Sequence, residues 1–103
     1  MGNKNKLFVE DSIALLHKIK VQILELITMS KSEMLSKVLK EHAEQIKYAN
    51  PSVDKGIYEL DSKISREYGN LKLSLSSGYM SEEALAYRIE SLELLLLKRV
   101  HTA

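Results

Sequence analysis

Apolar side chains recur at helical spacing almost from one end of the chain to the other. Ile13, Leu16, Ile19, Ile23, Leu26 and Ile27 form the first series, with Asp11 or Ser12 placed to cap it. Thr28-Met29-Ser30-Lys31-Ser32-Glu33 interrupts the pattern, and Ser30 and Glu33 have the spacing of a capping box for a second helix. That helix carries Leu35, Val38, Leu39, His42 and Ile46, and is predicted to run to about Ala49. Asn50-Pro51 stops it, because the residue before a proline is pushed out of the α region. From Pro51 or Ser52 the third series begins: Val53, Ile57, Leu60, Ile64, Tyr68, Leu71 and Leu75. A helix over 52–76 would be roughly 37 Å long. Gly69-Asn70 is turn-prone and Leu71–Leu75 alternates like a strand, but a lone short strand would have no partner. The prediction is therefore one unbroken helix. Gly78 suits the left-handed residue that ends it, and Ser81 caps a fourth helix with Leu85, Ile89, Leu92 and Leu96 as its stripe. Glu82 and Glu83 open that helix and Lys98, Arg99 and His101 close it, the order that a helix dipole favours.

The fold expected from these elements is all-α: an antiparallel bundle of about four helices, a single domain over residues 1–103, with 1–9 as a loose leading segment. Short connections favour an up-down bundle, and two helical hairpins completed by a second chain form the rival arrangement.

The fourth helix carries more apolar surface than one seam needs. Leu94 to Leu97 are consecutive, so they point in four directions about 100° apart. Leu94, Leu95 and Leu97 fall outside the stripe, and Leu15, Val21 and Leu24 give the first helix the same surplus. Fully burying one leucine stabilises by about 1.5–3 kcal/mol, so an exposed cluster invites association, most simply into a symmetric homo-oligomer. Tyrosine is favoured at interfaces, and the chain has five tyrosines against one phenylalanine. Leu94, Leu95 and Leu97, with Tyr87 beside them, are the expected interface.

Composition narrows the chemistry. The chain has 45% hydrophobic and 28% charged residues, as an ordered globular domain does, and a formal net charge of +1. Without cysteine it can hold no disulfide framework, thiolate zinc site or thiol nucleophile. No apolar run approaches the roughly 20 residues of a membrane span, and Glu10 and Asp11 interrupt what would be a signal-peptide core. Cytoplasmic residence is the expectation.

His17, His42 and His101 lack the i, i+3 or i, i+4 partners that a helical metal site needs. His42 is expected half-buried and hydrogen-bonded, the other two solvated. Glu90 and Glu93 share a face but lie near Arg88 and Lys98, which suits a solvated surface better than paired acid–base work. There is no Gly-x-Ser-x-Gly elbow and no glycine-rich phosphate loop. Arg66, Arg88 and Arg99 are too scattered to grip a dicarboxylate as small helical chorismate mutases do. No helix pairs a basic face with interleaved aromatics, and a helix-turn-helix at 33–64 would contain Pro51, so nucleic acid is disfavoured. The expectation is a protein without catalytic, metal or cofactor site.

Ile-Ala-Leu-Leu-His-Lys-Ile-Lys-Val-Gln-Ile-Leu at 13–24, a capped second helix, a long third helix and a basic C-terminus together resemble the small four-helix immunity proteins that protect bacteria from pediocin-like bacteriocins. The resemblance implies a four-helix bundle and, as an alternative function, such protection; it assigns no site residues. The primary expectation is a non-catalytic interaction or regulatory module, homodimeric, offering a helical groove or face to an unknown protein or small apolar ligand.

Overall fold

A computed structural model describes residues 8–78 and 80–102. Four helices account for most of them: α1 (Val9–Met29), α2 (Glu33–Ile46), α3 (Lys55–Ser77) and α4 (Glu82–Thr102). The expected all-α bundle is the observed fold. Residues 1–7 of the segment expected to be loose, and Tyr79, lie outside the described residues.

The helix starts differ from the sequence reading, each for a local reason. Helix α1 begins at Val9, ahead of the expected cap. The Phe8 amide donates to the Asp11 carboxylate at 3.1 Å, so Asp11 supports the first turn from inside it. Ser12 is buried in the helix, where its hydroxyl accepts from the Ser52 amide at 2.9 Å. Helix α2 is capped by Ser32, whose hydroxyl accepts from the Leu35 amide, and not by Ser30. Ser30 Oγ instead donates to the Ser32 carbonyl at 3.0 Å and so shapes the turn. Helix α2 ends at Ile46, three residues before Ala49. Helix α3 starts at Lys55 because the Asp54 carboxylate caps it by accepting from the Ile57 amide. Val53 therefore precedes the helix and stands 62% exposed, outside the core. Beyond that point the helix passes Gly69-Asn70 unbroken to Ser77, where Gly78 closes it at φ +69°. Ser81 Oγ accepts from the Ala84 amide and caps α4 as expected.

Only residues 30–32 separate α1 from α2, and α4 begins four residues after Gly78, so α1/α2 and α3/α4 are antiparallel hairpins. Directions alternate along the chain, but spatial neighbours do not follow chain order. Helix α1 packs on α2 and α3, and α4 packs on α3 and α2. Thus α2 and α3, consecutive in sequence, sit on one diagonal, and α1 and α4 on the other. The connector 47–54 crosses the end of the bundle between them. Two contacts show α1 running parallel to α3: Gln22 Nε2 donates to the Ser65 carbonyl, and Lys72 Nζ meets Glu25 Oε2 at 2.8 Å.

The core draws Leu16, Ile19, Ile23 and Leu26 from α1, and Leu39 and Ile46 from α2. Helix α3 supplies Ile64, Tyr68 and Leu71; α4 supplies Ile89, Leu92 and Leu96. Each of these apolar residues lies on the stripe read from the sequence. Ile13 does not follow its stripe inward and is 50% exposed at the open end of α1. Among the described residues no helix is long and apolar enough to cross a membrane.

Candidate functional surface

Helix α4 divides the four consecutive leucines by geometry. Leu96 is fully buried and Leu95 packs half-buried against the core. Leu94 is 65% exposed and Leu97 is at the margin of exposure. Tyr87, 73% exposed, lies seven residues before Leu94 and therefore on its face. The expected interface residues are thus separated: Tyr87, Leu94 and Leu97 line the outer side, whereas Leu95 turns toward the core. Helix α1 has its own outer stripe in Ile13, Val21 and Leu24, all exposed, while Leu15 is drawn half into the core. Because α1 and α4 occupy opposite corners, the two stripes face away from each other.

A groove of about 620 Å³ opens at the turn end of the bundle, between the first turns of α2 and α4. Met29, Met34, Leu35, Val38, Leu75 and Ile89 line it, with Glu90, Glu93 and Lys31 at its rim. Glu90 and Glu93 thus border an apolar groove. A second depression, along the 30–33 turn and the outer side of α2, is lined by Ser32, Lys37, Glu41 and similar polar groups without a convergent set.

The interior holds polar chemistry that the sequence reading only half anticipated. His42 is wholly buried, deeper than expected, and its Nδ1 lies 2.7 Å from the Tyr68 hydroxyl. The rings meet edge to face. Burial lowers the imidazole pKa to about 4 and pushes the Tyr68 phenol far above its ordinary range. Both are neutral near pH 7, and this histidine is held as part of the core.

Asp61 and Arg99 form an ion pair that was not anticipated. Arg99, read in sequence as one of the cations that close α4, is fully buried. Its Nε donates to Asp61 Oδ1 at 2.7 Å, and Nη2 donates to the Asn50 carbonyl in the connector. Burial raises the Asp61 pKa, against the opposing hydrogen bond and charge of Arg99. A signal was present: Asp61 lies three residues before Ile64 and Arg99 three after Leu96, so both extend apolar stripes. Neither groove is lined by the ion pair or by the His42–Tyr68 pair. Among the described residues no three His, Asp or Glu side chains gather where they could hold a metal ion.

Comparison with known protein families, curated proteins and solved structures finds no match. The resemblance to the four-helix immunity proteins, drawn from residues 13–24 and the pattern of the later helices, gains no support from these comparisons.

Proposed function

We propose that the protein is a non-catalytic helical interaction module that works as a homodimer. The observation supporting this reading is the outer side of α4, where Tyr87 and Leu94 are largely exposed on a helix whose inner side already supplies the core. Apolar side chains aligned on one face gain by being covered, and a second copy is the partner always at hand. Size-exclusion chromatography with light scattering tests it. At tens of micromolar the wild type is expected at an average mass above the single-chain 11.7 kDa, rising toward twice that value with concentration. Leu94→Glu with Leu97→Glu is expected at the single-chain mass. A wild type that stays monomeric throughout overturns the reading.

A second reading concerns the groove. Its apolar walls and two methionines suit a small apolar ligand or one apolar side chain of another protein, because methionine adapts to irregular shapes. An environment-sensitive apolar dye should brighten with wild type and not with Leu85→Asp, which charges a groove-lining position. Equal brightening in both removes this reading.

A further inference from the structure

We propose that two copies pair antiparallel along the outer side of α4, about a two-fold axis at the level of Leu92; this rests on the self-association reading above. The outer side carries Glu83, Tyr87, Glu90, Leu94, Leu97 and His101, all exposed and separated by alternating steps of four and three. Such spacing keeps all six on one face of the helix, and Tyr87, Leu94 and Leu97 are its apolar members. The inner stripe, Leu85, Ile89, Leu92 and Leu96, has already been used by the bundle. Helix α4 therefore has two packing faces, and among the described residues the bundle covers the inner one.

Charge decides both occupant and direction. The first half of the seam is acidic, through Glu83 and Glu90; the last turns carry the cation Lys98 beside the seam and, on it, the His101 imidazole, which can donate a hydrogen bond to a carboxylate. An antiparallel copy brings the acidic half beside Lys98 and His101 of the second copy, whereas a parallel copy would set Glu83 against Glu83 and Glu90 against Glu90. With the axis at Leu92, Tyr87 lies against the partner's Leu97, Glu90 beside the partner's Leu94, and Glu83 against the partner's His101. The helix dipoles also oppose each other in this arrangement. The outer stripe of α1 lacks this property. Paired antiparallel with itself so that Ile13 meets Leu24, it would set His17 against Lys20 of the second copy. Its apolar residues have no complementary charges to fix a register. The α4 seam is short, which places it among small interfaces of under about 1,200 Å² that exchange between monomer and dimer.

The chain contains no cysteine, so introduced thiols report on the pairing without background. Tyr87→Cys and Leu97→Cys, both at outward positions, are purified separately, mixed under mild oxidation and read by intact mass, alongside light scattering of the wild type. The expected result is a mixed disulfide joining the Tyr87→Cys chain to the Leu97→Cys chain. It should form at least about tenfold faster than either symmetric product, since only opposed positions fall within disulfide reach. As a second readout, Glu83→Lys is expected to weaken the dimer by up to about tenfold, and Glu83→Lys with His101→Glu to restore it. Faster symmetric disulfides mean a parallel pair and overturn the proposal. A dimer by scattering that forms none of these disulfides also overturns it, by placing the interface elsewhere, but leaves self-association standing. A wild type that is monomeric at every concentration overturns both.

Discussion

Arg99 donates from Nε to Asp61 Oδ1 across 2.7 Å, and neither side chain touches solvent. The two residues are 38 apart in sequence, and the contact fixes the end of α4 to the start of α3. Through Nη2 the same guanidinium holds the Asn50 carbonyl, so it also anchors the connector from α2. The pairing is incomplete, since Asp61 Oδ2 and Arg99 Nη1 have no hydrogen-bond partner among the described residues. Buried ions in this state are costly to separate and add little to stability when intact.

Removing one partner should therefore hurt far more than removing both. Asp61→Ala leaves a buried guanidinium unpaired and is expected to cost about 3–5 kcal/mol, a fall in Tm of more than about 10 °C. Asp61→Leu with Arg99→Met is expected to unfold near or above the wild-type temperature. Thermal melts by circular dichroism decide it; equal losses in the single and double variants would refute this account of the pair.

Acid should loosen the core through His42. Its folded pKa of about 4 lies below the ordinary 6.5, so the unfolded chain binds the proton more readily. The stability that neutral His42 contributes is complete above pH 6.5 and is lost as pH falls from there to 4. The loss is worth roughly 3 kcal/mol at the acid end. His42→Gln, which can still hydrogen-bond Tyr68, should flatten the Tm-against-pH curve in that window. A slope as steep as the wild type's would assign the acid sensitivity to other groups.

The leucine run permits a contrast within four residues. Leu96→Ala is expected to lose about 2–5 kcal/mol, because its side chain is fully enclosed. Leu94→Ala should shift the monomer's stability by no more than about 0.5 kcal/mol. Urea titrations at concentrations low enough to dissociate any dimer separate the two; similar costs would mean that Leu94 is also part of the core.

Two glycines should respond with opposite sign. Gly78 sits at φ +69° with open space around it, so Gly78→Ala costs backbone strain alone, about 1–2 kcal/mol. Gly69 is in mid-helix, where an added Cβ would come no nearer than 3.9 Å to Gln22 Nε2. Gly69→Ala should therefore stabilise by about 0.5–1 kcal/mol through helix propensity. A Tm that falls with Gly69→Ala would contradict the unbroken α3.

The helices and most of the core were legible in the sequence because each apolar stripe reports only on its own element. Ile64, Tyr68 and Leu71 needed no knowledge of the rest of the chain. The cap positions were harder to read, since Ser30 and Ser32 offer the same hydroxyl and only the path of the turn decides between them. The Asp61–Arg99 contact was beyond reach as a pair, although each residue extends a stripe. A partner 38 positions away is set by how hairpins dock, and helical periodicity carries nothing about that. The outer position of Leu94 followed from spacing, whereas the inward lean of Leu95 depends on how the neighbouring helices flank α4.

The diagonal crossing of residues 47–54 has a practical corollary. Each hairpin is a contiguous half of the chain, and the halves meet along the α1–α3 and α2–α4 seams. Severing the polypeptide near Tyr48 would yield two fragments, each bearing half of the greasy interior and neither able to shelter it alone. Co-expressed, they should reconstitute the whole across those two seams.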